Sequence, residues 1–136
     1  MAATTSNRDT RTTGARIRLV PIAANEIIPA GVIVQVNAAG AAVNATATAA
    51  NRTIGVNQYR VDNTGGIAGA KKAQIDRGVF GPFANSASAD QITLADLGAT
   101  CFVVDNQTVA KTNGAGARPT AGTVFNVDAE GVWVEF

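Results

Sequence analysis

The sequence predicts an all-β fold: a small β-barrel or jelly-roll-like sandwich of short antiparallel hairpins, with an extended N-terminal arm. Short runs rich in β-branched and aromatic residues recur at spacings near ten residues. Gly, Pro, Asn or Asp bound most of these runs, and these residues build turns. Two hairpin-like segments, 31–45 and 122–136, align without a gap. The chain has 136 residues, enough for one domain with its own core. We therefore predict an arm over 1–15 and a single β domain over 16–136.

The predicted arm is rich in Thr, Ala, Asn and Arg and shows no periodicity, which is typical of a segment that orders only when a partner holds it. Its charge is uneven. Up to residue 18, four arginines against Asp9 leave a net side-chain charge of +3; they are Arg8, Arg11, Arg16 and Arg18. Two interpretations stay open: a solvated tail, or an arm that docks on an acidic surface.

The first predicted strand is "RIRLVPI" at 16–22. Its residues alternate, so that Ile17 and Leu19 point to one side and the neighbouring arginines to the other. Pro21 indicates an edge position or the end of the strand. "NEIIPAG" then predicts a turn into the next strand.

The two aligned segments each predict a strand, a turn and a second strand. Asn37 and Asp128 occupy equivalent positions and open the turns, because their side chains can accept hydrogen bonds from nearby backbone amides. Gly40 and Gly131 follow three residues later, where a left-handed backbone closes the turn. Shared hairpin chemistry is sufficient to explain this similarity.

The middle of the chain predicts a strand over 52–61, a loop over 62–72 and a strand over 73–83. The last of these is expected to break near Gly78 and to stop at Gly81-Pro82, because proline cannot donate to a ladder.

A short helix is predicted within 84–100, with a mixed loop and turn as the alternative. Asp90 would cap the helix, and Gly98 would end it. Ile92, Leu94 and Leu97 would face inward.

The last third predicts a meander of four strands with a glycine-rich loop over 113–122. The predicted strands are 100–104, 108–112, 123–127 and 132–136.

Composition excludes several classes of chemistry. The chain has no histidine and one cysteine, so neither the usual neutral-pH base nor a Cys/His zinc site is available from one chain. A single cysteine forms no internal disulfide, which favours folding inside a cell. The net charge is +1, no apolar run approaches about 20 residues, and the N-terminus lacks a signal-peptide core. We expect no metal, no cofactor, no membrane and no direct nucleic-acid partner.

The stretch "CFVVDNQTVAKT" at 101–112 is the one segment that invites a catalytic interpretation. Cys101 lies among apolar residues with no histidine to activate it, so we predict a buried small hydrophobe. Residues 105–107 are predicted to reverse the chain, and Asp105 to pair with Lys111 across the hairpin. We therefore predict no catalytic residue here.

Other polar and aromatic groups are also assigned structural roles. The glycine-rich segments 65–72 and 113–122 lack the spacing and the following helix of a phosphate loop, so both are predicted to be hairpin loops. A modest basic cluster is formed by Lys71, Lys72 and Arg77. The aromatic residues at strand-like positions are predicted to lie in the core or at a subunit interface; they are Tyr59, Phe80, Phe83, Phe102 and Trp133.

The order of motifs resembles that of the small capsid cement, or head decoration, proteins of tailed bacteriophages. Three stretches carry the resemblance, and together they cover roughly residues 20–136. They are "PAGVIVQVNAAGAAVNATATAANRTIGVNQY" (29–59), "IDRGVFGPFA" (75–84) and "ADLGATCFVVDNQTVAKTNGAGARPTAGTVFNVDAEGVWVEF" (95–136).

The resemblance implies a virion protein that folds in the host cytoplasm and then binds the outer face of the capsid. It would sit at junctions between coat subunits, as a homodimer or homotrimer, and cement the shell. Its partners would be the major capsid protein and further copies of itself. The family has no catalytic residue to transfer, and its N-terminal arm often contacts the coat, a role that suits Arg8, Arg11, Arg16 and Arg18.

Two other functions stay open. One is another structural role in the virion, as a head-completion, tail-tube or fibre-base protein. The other, of a different class, is a small carbohydrate-binding or hydrolytic β domain. That class is marked by exposed aromatic residues and paired carboxylates, and Trp133 on a strand near the C-terminus fits it poorly.

Overall fold

A computed structural model describes residues 16–136, and over this range the fold is all-β, as predicted. The predicted arm over 1–15, with Arg8 and Arg11, lies outside the described residues. The twelve strands are β1 (Ile17–Pro21), β2 (Ile27–Ile28), β3 (Ile33–Val36), β4 (Ala42–Asn44), β5 (Arg52–Asn57), β6 (Val61–Asp62), β7 (Lys72–Asp76), β8 (Val79–Asn85), β9 (Thr100–Val103), β10 (Thr108–Ala110), β11 (Thr120–Val127) and β12 (Val132–Glu135).

The strands form one open sheet, one closed barrel and a small two-stranded ribbon. The open sheet is antiparallel with the order β1-β7-β5-β3-β4, and the ribbon pairs β2 with β6. The barrel has the order β10-β8-β12-β11-β9 and closes through β10 against β9. The pairing of β10 with β8 is parallel. The fold thus combines a barrel with an open sheet.

The chain after β1 brings the two ends of the open sheet together. The amide of Ile22 donates to the carbonyl of Lys71 at 3.0 Å, and the amide of Ala23 donates to the carbonyl of Ala42 on β4 at 3.0 Å. A parallel bridge between Ile22 and Ala42 completes this contact. The far edge at β4 is therefore covered by the chain itself.

Two apolar clusters make up the core. The larger fills the barrel and extends to Ile33 and Val56 of the open sheet, so one face of that sheet packs on the barrel. The smaller lies on the other face of the sheet and contains Ile22, Ile28, Val34, Ala42, Ala73 and Ile75. Because both faces are occupied, the open sheet is a central layer.

The predicted turn chemistry is confirmed. The Asn37 Oδ1 atom accepts from the amides of Ala39 and Ala41, each at 3.0 Å. The equivalent Asp128 Oδ1 atom accepts from Glu130 at 2.8 Å and Gly131 at 3.1 Å. In both hairpins the side chain that opens the turn holds the backbone amides that close it.

The prediction that the strand after Gly78 stops at Gly81-Pro82 was wrong, since β8 runs on to Asn85. The ladder between β8 and β12 shifts register between Phe80 and Phe83. Pro82 lies at this irregularity, where its missing N–H does not interrupt a regular ladder.

The predicted helix within 84–100 is replaced by two single-turn 3₁₀ helices, Ser88–Asp90 and Leu94–Asp96. The Asn85 side chain bonds both the amide and the carbonyl of Ile92, at 2.9 and 2.7 Å, and so holds an extended link between the two turns. Ile92 is buried as predicted, whereas Leu94 and Leu97 are exposed.

Asp90 closes the first 3₁₀ turn at its end and does not cap it, because its carboxylate binds the side chains of Arg118 and Thr112. Gly98, with a φ of +81°, follows the second turn, as predicted.

Equivalent glycines of the two hairpins are expected to differ sharply in tolerance. Gly40 has a φ of +80° and open space around its Cα, so Gly40→Ala should cost only the left-handed backbone penalty of about 1–2 kcal/mol. At Gly131, with a φ of +150°, an added Cβ would lie 2.2 Å from the carbonyl oxygen of Phe83. Gly131→Ala should therefore lower the free energy of unfolding by about 3 kcal/mol or more. Urea unfolding of both variants measures this, and equal losses would contradict it.

The hairpin of β11 and β12 offers an optical probe of its own turn. The indole of Trp133, the single tryptophan, donates to Asp128 Oδ2 at 2.8 Å. This bond, followed by the amides of Glu130 and Gly131, holds the pKa of Asp128 below its ordinary 3.8. A lowered pKa means that the bond stabilises the fold at neutral pH and is lost as the pH falls through the folded-state value.

Trp133 fluorescence should accordingly stay constant from neutral pH down to about pH 4 and change below it. In Asp128→Asn the group that titrates is absent, so the same acid range should show no such step while circular dichroism reports a folded protein. An identical step in both proteins would contradict the assignment.

Candidate docking surface

Of the four arginines predicted to contact a partner, the structure describes Arg16 and Arg18. Arg18 lies on β1 and Arg16 immediately before it. Strand β1 is the outermost strand of the open sheet and pairs only with β7 within the described range. These residues therefore lie where the predicted arm joins the domain, at the edge of a sheet.

The two faces of β1 have the alternation that the sequence predicts. Ile17 lies opposite Asp76 and Leu19 opposite Gln74 on β7. Arg18 shares its face with Ile75, which belongs to the smaller apolar cluster. The arginine side of β1 thus continues the face that carries the smaller apolar cluster. Ile17 and Leu19 lie on the other face, beyond the part of it that packs on the barrel.

The outward side chains of β1 are unusually exposed for their type. Ile17 is 54% exposed and Leu19 is 63% exposed. Alternation in the sequence predicts that the two share a face, but it does not say which face is buried. That choice depends on β7, the neighbouring strand, 55 residues further along the chain.

Among the described residues, the backbone groups along the outer edge of β1 have no strand partner. The amide of Arg77 donates to the carbonyl of Arg16 at 2.8 Å, and the amide of Ile22 donates to Lys71 at 3.0 Å. Antiparallel ladders alternate, so even-numbered residues of β1 bond β7 while Ile17 and Leu19 direct N–H and C=O groups outward. Edges of this kind pair readily with another strand.

The charges at this edge are not neutralised within the described part of the chain. Its three ion pairs are Arg60–Asp62, Lys111–Asp96 and Arg118–Asp90, and neither Arg16 nor Arg18 takes part. Arg18 and Arg77 line a cleft of 230 Å³ that also contains Glu135. The surface therefore combines an open backbone edge, two apolar side chains and an excess of positive charge; we name these residues, 16–19, the β1 edge.

Cys101 is a buried thiol, as predicted. It is fully enclosed, and its Sγ atom contacts the carbonyl oxygen of Gly122 at 3.5 Å. Burial raises the pKa of this thiol to about 11. The thiolate that a nucleophile requires is therefore disfavoured.

The predicted pairing of Asp105 with Lys111 was wrong. The Lys111 Nζ atom lies 3.0 Å from Asp96 Oδ1, because β10 places Lys111 beside the second 3₁₀ turn. Asp105 instead accepts from the amide of Gln107 at 2.9 Å and shapes the chain reversal, as predicted.

The remaining predicted groups are dispersed. Lys71 donates to the carbonyl of Asp62 at 2.6 Å, so it ties a loop together. Phe83 is buried, whereas Tyr59 is exposed and lies outside the strands. The link between Arg118 and Asp90, at 3.0 Å, anchors the glycine-rich loop over 113–119 to the first 3₁₀ turn, and no motif in the sequence predicts it.

Within residues 16–136, no three His, Cys, Asp or Glu side chains come together as a metal-binding group. None of the helices described over this range is long and apolar enough to span a membrane.

Over residues 16–136 the fold and the surface define an all-β protein with a closed five-stranded barrel and a basic edge strand that pairs on one side. Comparison with known proteins adds no relative: no family model, no curated protein and no solved structure matches the chain.

We expect Cys101 to be unreactive while the protein is folded. With a pKa of about 11, roughly one thiol in a thousand is ionised at pH 8, and the barrel wall excludes reagent. Ellman's reagent should label one equivalent quickly in urea and far more slowly in native buffer. Complete labelling of the native protein at the rate of the unfolded chain would show that the thiol is accessible.

Proposed function

We propose that this protein is a virion structural protein that binds the outer surface of a phage capsid at junctions between coat subunits and stabilises the shell. The observation that supports this most directly is the β1 edge, a strand with open backbone groups, exposed Ile17 and Leu19, and unpaired Arg16 and Arg18 among the described residues. The motif order along 20–136 resembles that of phage cement proteins, and this resemblance is the reason for proposing the major capsid protein as the partner.

The chemistry of the β1 edge defines what its partner must present. An extended segment of the major capsid protein would pair with the outward N–H and C=O groups of Ile17 and Leu19. Apolar side chains on that segment would cover the outward face, and acidic groups would lie near Arg16 and Arg18. Pairing of this kind needs no catalytic group on either protein.

The position of the β1 edge also suits the predicted arm. Residues 1–15 lead directly into Arg16, so an arm that docks with Arg8 and Arg11 would extend the same contact. Ordering an arm costs about 1–2 kcal/mol per residue in backbone entropy. A capsid offers the same contact at many equivalent sites, each of which can offset that cost locally.

The test is co-sedimentation of the purified protein with empty, expanded shells of the coat protein encoded in the same genome. The full chain should pellet with the shells, and removal of residues 1–15 should leave a folded domain with weaker attachment. Absence of binding at micromolar concentration to any expanded shell would overturn the proposal. Unchanged affinity after the deletion would overturn the role of the arm alone.

Two substitutions in β1 separate side-chain from backbone contacts. Leu19→Ala removes the exposed side chain, whereas Leu19→Pro also removes an N–H that points away from β7 and so preserves the internal ladder. Capsid affinity should fall in Leu19→Ala and fall further in Leu19→Pro. Ile67→Ala, a matched change at another exposed apolar residue, should have no effect. Equal affinities for Leu19→Ala and Leu19→Pro would exclude strand pairing at this edge.

A further inference from the structure

A second exposed apolar surface lies on the barrel, apart from the β1 edge in sequence and sheet. It consists of Leu94, Leu97 and Phe125, which are 62%, 48% and 58% exposed. We name these three residues the barrel patch. Neither the predicted arm nor the capsid contact proposed above involves them.

Backbone bonds show that the members of the barrel patch are neighbours. The amide of Gly98 donates to the carbonyl of Val124, and the amide of Val124 donates to the carbonyl of Ala99, both at 2.9 Å. Gly98 and Ala99 thus both lie opposite Val124. This two-against-one arrangement is a β-bulge, and its first residue, Gly98, has a left-handed backbone. Leu97 and Phe125 are the residues adjacent to this contact along each segment.

Leu94 joins the same surface from within the second 3₁₀ turn. Side chains three residues apart in a 3₁₀ turn lie one above the other, which aligns Leu94 with Leu97. Val124, the β11 residue before Phe125, is buried in the barrel. Phe125 itself is the extra residue where the pairing of β11 with β12 shifts register, and its side chain is exposed.

The barrel patch is held in place by polar contacts beneath it. Asp96 Oδ2 accepts from the Thr93 amide at 2.8 Å and from its hydroxyl at 3.1 Å, which closes the turn. The other carboxylate oxygen of Asp96 pairs with Lys111 at 3.0 Å, which ties the turn to the end of β10. The patch is therefore preformed, and little ordering is required when it is covered.

We propose that the barrel patch is the centre of a two-fold contact with a second copy of this chain. In such a contact each surface meets its own image, so a surface with an excess of one charge is repelled by its copy. The three patch residues are uncharged, and the adjoining Asp96 is paired with Lys111. The β1 edge is less suited to such a contact, because both of its unpaired charges are positive. In the register that pairs Ile17 with Leu19 of the copy, Arg18 would face Arg18.

The N-terminal segment is a poor occupant for the patch. The apolar residues within 1–15 are one methionine and three alanines, which offer little surface to cover two leucines and a phenylalanine. A second copy supplies an apolar surface of the same size and chemistry.

The exposed area of the barrel patch indicates how strong a dimer to expect. The exposed parts of the three side chains amount to roughly 300 Å² per copy, within the range of functional apolar patches on monomers. A stable interface usually covers about 800 Å² on each partner. The barrel patch would accordingly form the apolar centre of a modest dimer, with polar neighbours such as Thr93, Thr123 and Asn126 at its rim.

The test is sedimentation velocity of the full chain over roughly 1–100 μM, without capsids, a range chosen for a contact of this size. The wild type should shift from monomer to dimer with increasing concentration. Phe125→Asp should weaken dimerisation at least about tenfold, since two carboxylates would then approach one another. Ile67→Asp, an equally drastic change at an exposed loop residue, is the matched control and should dimerise like the wild type.

A charge pair provides the decisive check. Phe125→Asp mixed with Phe125→Arg should regain dimers that neither variant forms alone, and thermal unfolding should show that both are folded. A wild type that stays monomeric throughout, or unchanged dimerisation in Phe125→Asp, would overturn the inference. If the wild type is monomeric and Phe125→Asp no longer pellets with capsids, the patch contacts the coat protein and not a second copy. Because dimerisation is measured without shells, its outcome is independent of capsid binding.

Discussion

The structure depends on the turn of residues 105–107, since this turn joins the barrel to the open sheet. The carbonyl of Asn106 accepts from the amide of Ile33 on β3 at 2.9 Å, and its side-chain amide donates to Asn44 Oδ1 at 2.8 Å. The next carbonyl, of Gln107, accepts from Ala84 on β8 at 2.8 Å. Directly after it, the three residues of β10 close the barrel, parallel to β8 and antiparallel to β9. The polar residues that invite a catalytic interpretation thus act on the backbone and join separate layers.

The features that sequence predicts well are those built from local interactions. Asn37, Asp105 and Asp128 each accept hydrogen bonds from amides two to four residues later, so the signal and the structure occupy the same short window. The parallel pairing of β8 with β10 leaves no such signal, because it joins strands separated by two 3₁₀ turns and β9. The link from Asp90 to Arg118 spans 28 residues, and no local sequence pattern predicts it either. Tertiary context decides these contacts.

The β1 edge shows that an alternating pattern can predict a strand correctly without predicting which of its two faces is buried. Ile17 and Leu19 alternate with arginines as a half-buried strand should, but burial requires a neighbouring layer on the apolar side. At the outermost strand the packed layer does not extend over these side chains, and they remain exposed. Pro21 and the two arginines limit the risk of such an edge, since proline removes one N–H and like charges oppose self-pairing. The same features make the edge selective for a partner that is not a copy of itself.

The two exposed apolar surfaces differ in charge, and this difference determines which kind of partner each one suits. At the β1 edge, positive charge accompanies Ile17 and Leu19, so a surface that complements it would carry acidic groups, as proposed for the coat protein. At the barrel patch the adjoining charges are already paired within the chain, which removes the electrostatic obstacle to contact with an identical surface. The two proposed contacts, one with a second copy and one with a capsid, use separate surfaces and so do not compete. Unpaired positive charge at the β1 edge and paired charge beside the barrel patch would keep the two contacts apart without a conformational change.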